Sequence, residues 1–367
     1  GGVATLVLPA DVSWLEGAEP APPRPPARRG SVADEVVVTA AKALQSGEPC
    51  VVLLGGSALR EPGLVAASRV AEATGAKLFC ETFPARLERG AGVPAIERLG
   101  YLAEFTAAQL AGARHLVLVD ARAPVSFFAY PEKPSYLVPE GCEVHELASG
   151  ADDAVGALAH LADLTGAADS PTRQASHRPE RPTGDLTAEK VAHAIGALLP
   201  EHAIVSDEAN TSGLWAAPAT AGAPHHDWLT LTGGAIGQGL PVATGAAVAC
   251  PDRKVVSLEA EGSAMYTLQA LWTQAREGLD VTTVVFNNRS YAILNLELSR
   301  VGAEPPGPRA LDMLDLSRPE LDFVSLAEGM GVEATRARTA DEFTAQFERA
   351  VATSGPNLVE AVLPTTL

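Results

Sequence analysis

The chain has no run of lysine and arginine, and acidic residues outnumber basic ones by 45 to 27, a formal net charge of −18. Nucleic acid and anionic membrane attract the opposite sign, so neither is expected as a partner. No apolar stretch approaches the length of a membrane span, and no secretory leader is expected at the start. Cysteine is scarce. Cys50, Cys80, Cys142 and Cys250 lack metal-ligand spacing and read as reduced core thiols of a cytoplasmic protein. A complete Gly-x-Gly-x-x-Gly fingerprint is also missing. Gly55-Gly56-Ser57 follows an apolar run and reads as a plain strand–helix turn, with a remnant nucleotide turn as the alternative. There is no internal repeat. What remains is a globular composition, 47% hydrophobic and 20% charged, with 367 residues to build two domains and a buried core.

The chemistry concentrates in two short segments. Ala260-Glu261-Gly262-Ser263 ends one apolar run, Lys254–Glu259, and Asn287-Asn288 ends a second, Val281–Phe286. Between them Met265, Leu268, Leu271, Trp272 and Ala275 recur at helical spacing, so one helix is expected to join the two strands. Such a crossover returns to the same sheet edge and sets a carboxylate beside an amide oxygen. A hard divalent cation holding a diphosphate asks for that pairing, because Mg²⁺ takes one or two protein oxygens and leaves its other positions to phosphate and water.

With those residues in view, the segment from Gly233 to Leu298 resembles the cofactor-binding domain of thiamine-diphosphate (ThDP) enzymes, the group of acetolactate synthase, benzoylformate decarboxylase and pyruvate decarboxylase. That family carries Gly-Asp-Gly followed, after a helix, by Asn-Asn. Here Ala260 stands for the first Gly and Glu261 for the Asp, whereas Gly262, Ser263, Asn287 and Asn288 match. Gly234 to Pro241 resembles the family's Gly-rich segment beneath the cofactor. The resemblance implies Mg²⁺ on Glu261, Asn288 and the Ser290 carbonyl. It implies diphosphate contacts from Gly262, Ser263, Asn210 and Thr211, and places Gly234 and Tyr291 at the cofactor, with Ile236 as the apolar wedge that bends it. Leu294 and Leu298 would border the substrate pocket. Glu for Asp shifts the carboxylate by about 1.5 Å, and Ala260 matters only if its backbone needs a positive φ.

Organisation follows the same reading. Gly2 to Val12 is expected as one buried strand, the last of an otherwise absent N-terminal pyrimidine-binding domain (residues 1–14), and Pro20 to Pro26 as part of a stiff linker (residues 15–31). Residues 32–164 alternate helix and strand: helices at 32–44, 61–74 and 101–110, strands at 50–54, 77–80 and 115–119. A polar linker covers 165–185. Residues 186–367 form the diphosphate-binding domain, opening with Thr187 as the cap of a helix at 188–199. The fold class is α/β, two doubly wound parallel-sheet domains, a central Rossmann-like one and a C-terminal ThDP-binding one. His225-His226 reads as a surface pair before a strand at 228–231, and His115, His145 and His160 carry no partner signal.

The function expected of the parent protein is a ThDP- and Mg²⁺-dependent 2-oxoacid decarboxylase or carboligase, acetolactate synthase-like. The alternatives are a benzoylformate decarboxylase-like non-ligating enzyme and a catalytically silent paralogue. The Glu that activates the cofactor belongs, by resemblance, to the pyrimidine-binding domain, so no catalytic residue is assigned here and the chain alone is expected to be inactive. A homodimer or homotetramer is expected by analogy, no flavin in the central domain, and a small 2-oxo acid as substrate.

Overall fold

The computed structural model describes residues 5–17, 19–22, 25, 27–303 and 306–365. Among the described residues twelve strands run in chain order: β1 Cys50–Leu54, β2 Lys77–Cys80, β3 Leu87–Arg89, β4 Glu97–Arg98, β5 His115–Val119 and β6 Glu143–Ala148, then β7 Ile204–Glu208, β8 His226–Leu229, β9 Val255–Ala260, β10 Val281–Asn287, β11 Glu333–Ala337 and β12 Asn357–Val362. They form a five-stranded sheet, β4-β2-β1-β5-β6, and a seven-stranded sheet, β11-β12-β10-β9-β7-β8-β3. Every pairing between these strands is parallel except β3 with β8.

The continuous apolar runs are strands covered on both faces, as buried parallel strands must be. In β1 and β5 alternate residues serve different cores. Val52, Leu54, Val117 and Val119 join the larger core, whereas Val51, Leu53, Leu116 and Leu118 pack with Leu110 in a second one. The larger core continues into the second sheet through Val256, Leu258, Val284 and Phe286, against Phe343 and Phe347 of the helix Ala340–Ala352. Thr187 caps the helix Ala188–Leu198 by accepting from the Lys190 N–H, as its sequence position predicts.

Five features depart from expectation. Residues 5–11 form no strand and lie exposed, followed by a short 3₁₀ turn at Val12–Trp14; an extended segment needs a neighbour for its backbone groups, and none is paired with it among the described residues. Positions 2–4 of that expected strand, and 18, 23, 24 and 26 of the proline-rich linker, lie outside the described residues. The crossover between β9 and β10 is not one helix. Helix Glu261–Ala264 gives way to successive i→i+3 turns, from Tyr266 N to Ser263 O through Leu271 N to Leu268 O, before helix Ala270–Glu277. The turn is held where the Thr267 hydroxyl donates to the Gly237 carbonyl at 2.8 Å. Residues 81–96 leave the first sheet to lend β3 to the second, although the central segment's own five-stranded sheet is wholly parallel, as expected. The polar segment 165–185 is pinned rather than free: Gln174 exchanges backbone hydrogen bonds with Val93 and Gly92, and the His177 N–H donates to the Gly222 carbonyl.

The fifth is His226. It opens β8 and is 1% exposed, because strand alternation turns it inward with Trp228, their ring centroids 5.9 Å apart, and β3 pairs along the same edge. Its Nδ1–H donates to the Pro224 carbonyl at 2.7 Å, while Nε2 is buried without a partner among the described residues. Burial first, and the Arg89 guanidinium second, lower its pKa to about 4. The folded state therefore holds a neutral ring that the unfolded chain protonates below about 6.5. Stability from this site is complete above that value and is lost as pH falls through 4, by up to about 3 kcal/mol. Denaturation midpoints of wild type and His226→Phe at pH 7.5 and 4.5 test this: the acid-induced drop should shrink clearly in the variant, and equal drops would reassign the effect.

Candidate functional site

Parallel strands carry their ligand-facing loops at their C-terminal ends, and β7, β9 and β10 are adjacent there. After β9 come Glu261 and Gly262, after β10 comes Asn288, and after β7 comes Asn210. Glu261 is 2% exposed and Asn288 7%. Both side chains converge on one backbone donor: the Ser290 N–H donates to Glu261 Oε1 at 3.0 Å and to Asn288 Oδ1 at 2.9 Å. A backbone reversal at Arg289, with φ +60°, aims that N–H back at them. Ser290 thus presents its N–H here, while its carbonyl accepts from the Ala292 N–H at 2.9 Å.

The two asparagines divide the work. Asn287, wholly buried, donates from Nδ2 to Glu360 Oε1 at 2.7 Å and so fixes the sheet. Asn288 faces the loop and donates from Nδ2 to Ser212 Oγ at 3.2 Å, a partner the sequence reading did not single out. Asn210, in the left-handed region at φ +50°, donates from Nδ2 to Ser263 Oγ at 3.4 Å, which brings the β7 loop against the Glu261 segment. Thr211 follows in the 3₁₀ turn Asn210–Trp215. The Tyr291 ring lies on Gly262, where a Cβ would stand 2.4 Å from its Cε1, so only glycine admits the ring in this position. Ala260 adopts φ −79° and ψ 143°, ordinary extended backbone, and its replacement of glycine costs nothing there.

Glu261 has no cationic side chain within ion-pair distance among the described residues. Burial raises its carboxyl to about 7, against the opposing pull of the Ser290 N–H. A buried carboxylate and a carboxamide oxygen aimed at one point, with no cation to neutralise them, are a hard-oxygen donor set that fits a divalent ion such as Mg²⁺.

A second pair of carboxyls lies beneath the Gly-rich segment, and nothing in the local sequence flagged it. Glu208 and Glu259 stand opposite each other in the register of β7 and β9, each 1% exposed. Glu208 accepts from the N–H groups of both Gly237 and Gly239. Glu259 accepts from Ser257 Oγ at 2.8 Å, and burial followed by the charge on Glu208 pushes its carboxyl well above the usual range. Two carboxyls in one dry place do not both ionise. Burial raises the Glu208 carboxyl too, but the two N–H donors oppose that rise, so the charge is better placed on Glu208 and the proton on Glu259. Glu208 therefore acts as a clamp that fixes the loop carrying Gly234 and Ile236. On that loop Gly234 lies under Phe127, with φ +65°, and Ile236 projects 45% exposed. A charged cleft of about 360 Å³ lined by Arg86, His225 and Arg253 lies at the opposite, N-terminal ends of these strands, away from this constellation.

Comparison with known proteins matches residues 209–361 to the family described as "Thiamine pyrophosphate enzyme, C-terminal TPP binding domain". Over 366 residues the chain is 58% identical to a Mycobacterium tuberculosis protein named "Putative acetolactate synthase large subunit IlvX", covering 99% of this chain and 70% of that one. It is 33% identical over 183 residues to benzoylformate decarboxylase of Pseudomonas aeruginosa, 50% of this chain and 33% of the relative. A solved structure of the thiamine diphosphate-dependent 4-hydroxybenzoylformate decarboxylase of Rhodococcus jostii superposes with a TM-score of 0.74 at 24% identity, over 93% of this chain and 66% of that one, a likeness of fold.

Proposed function

Because this chain belongs to the family of thiamine-diphosphate-dependent enzymes, we propose that it is the cofactor-anchoring part of a Mg²⁺-dependent 2-oxoacid decarboxylase or carboligase, nearest in kind to acetolactate synthase. The observation that carries the reading is the convergence of Glu261 and Asn288 on one N–H at the ends of adjacent strands. ThDP, when bound, supplies the electron sink that lets a 2-oxo acid lose CO₂.

The chain's own residues hold and orient that group. Glu261 and Asn288 would hold the metal through side-chain oxygens, with the Ser290 carbonyl as a third ligand. Gly262, Ser263, Asn210 and Thr211 meet the diphosphate with N–H and hydroxyl donors. Glu208 fixes the glycine loop, so that Ile236 meets the cofactor as a rigid wedge and Gly234 allows close approach of the backbone. Tyr291, packed on Gly262, walls the same space.

Exposed apolar side chains gather on the segments around this site: Leu214 and Trp215 beside the β7 loop, Ile236, then Met265 and Tyr266, and Leu294. Their exposure supports assembly as a homodimer or homotetramer, in which a second copy covers them. Neither residues nor geometry assign an activating carboxyl for the cofactor ring in this chain. We expect no CO₂ release from pyruvate or benzoylformate by this chain alone, measured by a coupled CO₂ assay with ThDP and Mg²⁺ present. Turnover would show that the chain carries its own activator.

The rival reading is a silent paralogue, motivated by Glu261 in place of Asp. Calorimetric titration with ThDP and Mg²⁺ separates the two. Saturable heat that depends on Mg²⁺ supports the enzyme part, and a flat titration supports the paralogue.

A further inference from the structure

The imidazoles of His115 and His145, which carry no motif in the sequence, meet across the edge of the five-stranded sheet. β5 and β6 pair in parallel with His115 opposite Glu143 and Val117 opposite His145, so His115, Glu143 and His145 share one face. His115 Nδ1 lies 3.1 Å from His145 Nε2. Glu143 Oε2 lies 3.6 Å from the first and 3.9 Å from the second of these same atoms. The three atoms form a triangle whose centre is about 2.1 Å from each corner, the bond length of Zn²⁺ to imidazole nitrogen and carboxylate oxygen.

A second observation concerns the far side of the ring. Glu48 Oε2 sits 3.0 Å from His115 Nε2, and Arg114 Nε stands 3.8 Å from the other oxygen of Glu48. A carboxylate only accepts, so it places the proton on Nε2 and leaves the Nδ1 lone pair aimed into the triangle. Metal-binding histidines are characteristically backed in this way, the carboxylate orienting the ring and raising its basicity. The His145 side chain is only 12% exposed, so its ring is held in place against β5. Glu143 is exposed and free to adjust by a few tenths of an ångström, and its open side leaves room for solvent to complete the coordination.

We propose that His115, Glu143 and His145 form a binding site for a borderline divalent transition-metal ion, Zn²⁺ foremost, which ties the edge strand β6 to β5. Two nitrogens and one oxygen select Zn²⁺, Co²⁺ or Ni²⁺ over Mg²⁺, which prefers oxygen alone. The site stands at the N-terminal ends of its strands in the other sheet and is independent of the Glu261 constellation.

The test is calorimetric titration of the metal-free chain with ZnCl₂ in saturating MgCl₂, so that oxygen-donor sites are already filled. Wild type should take up one equivalent at this site. His145→Ala should lose that equivalent or bind at least about 100-fold more weakly. Glu48→Gln, which touches no metal, should weaken binding about 10- to 100-fold. Co²⁺ should give wild type the strong visible absorption of low coordination number, and His145→Ala should lack it. His145 is not fully buried, so its variant should keep the wild-type circular dichroism without metal; should it not, Glu143→Ala, at an exposed position, gives the same reading. No zinc uptake by wild type, or variants that bind as tightly as wild type, would overturn the site.

Discussion

Replacing Glu261 with Ala is expected to weaken ThDP binding at saturating Mg²⁺ by about 10- to 100-fold, the worth of one charge-assisted contact. Glu261→Gln separates charge from shape. The amide keeps an oxygen that accepts from the Ser290 N–H but removes a carboxyl buried without a cation. Cofactor affinity should therefore fall almost as far as in the Ala variant. Metal-free stability at pH 8 should move the other way, rising by about 2 kcal/mol, since an uncompensated buried charge is costly. In a thermal melt Mg²⁺ should raise the midpoint of wild type and leave the Gln variant unmoved. An Ala variant that binds ThDP as wild type does would remove Glu261 from the metal site and with it the central element of the proposed function.

Gly239→Ala is expected to cost about 3 to 5 kcal/mol of stability, from overpacking together with the loss of buried hydrogen bonds. A Cβ there would stand 2.3 Å from Glu259 Oε1, 2.7 Å from Glu208 Oε2 and 2.8 Å from Glu208 Cβ. The methyl group cannot enter without driving the Glu208 carboxylate from the Gly237 and Gly239 N–H groups. Gly245, in the same helix Gly239–Ala249, is the control, because a Cβ there meets nothing within 4 Å. Gly245→Ala should stabilise by up to about 1 kcal/mol through helix propensity. Urea denaturation of the two variants distinguishes a clamp at Glu208 from a general dislike of alanine in this helix. Similar midpoints for both would mean that the Glu208 clamp yields easily and does not fix the loop.

What can be read without coordinates is what lies along one stretch of chain. β1, β2 and β5 have the bounds expected of them, and in β1 and β5, buried at every position, a nearly unbroken apolar run marks a strand covered on both faces. The Glu261 and Asn288 pairing was legible for the same reason: a strand, a crossover and a strand bring their two ends together whatever the rest of the fold does. Even there the interior of the crossover escaped, since periodic apolar positions suit a chain of tight turns as well as a helix. The last two residues of β7, Asp207 and Glu208, are of a type that local sequence assigns to a loop. Their place in the strand follows from the glycine N–H groups and the Trp228 indole N–H that donate to their carboxylates.

By itself, then, the sequence determined the alternation of elements, the α/β class and the position of the Glu261 loop, since each depends on neighbours in the chain. Only the tertiary structure decided that β3 crosses to the second sheet, that His226 is buried, that Glu208 faces Glu259, and that His115 meets His145. Those contacts follow from strand register and sheet order, which set side by side residues that no local periodicity connects.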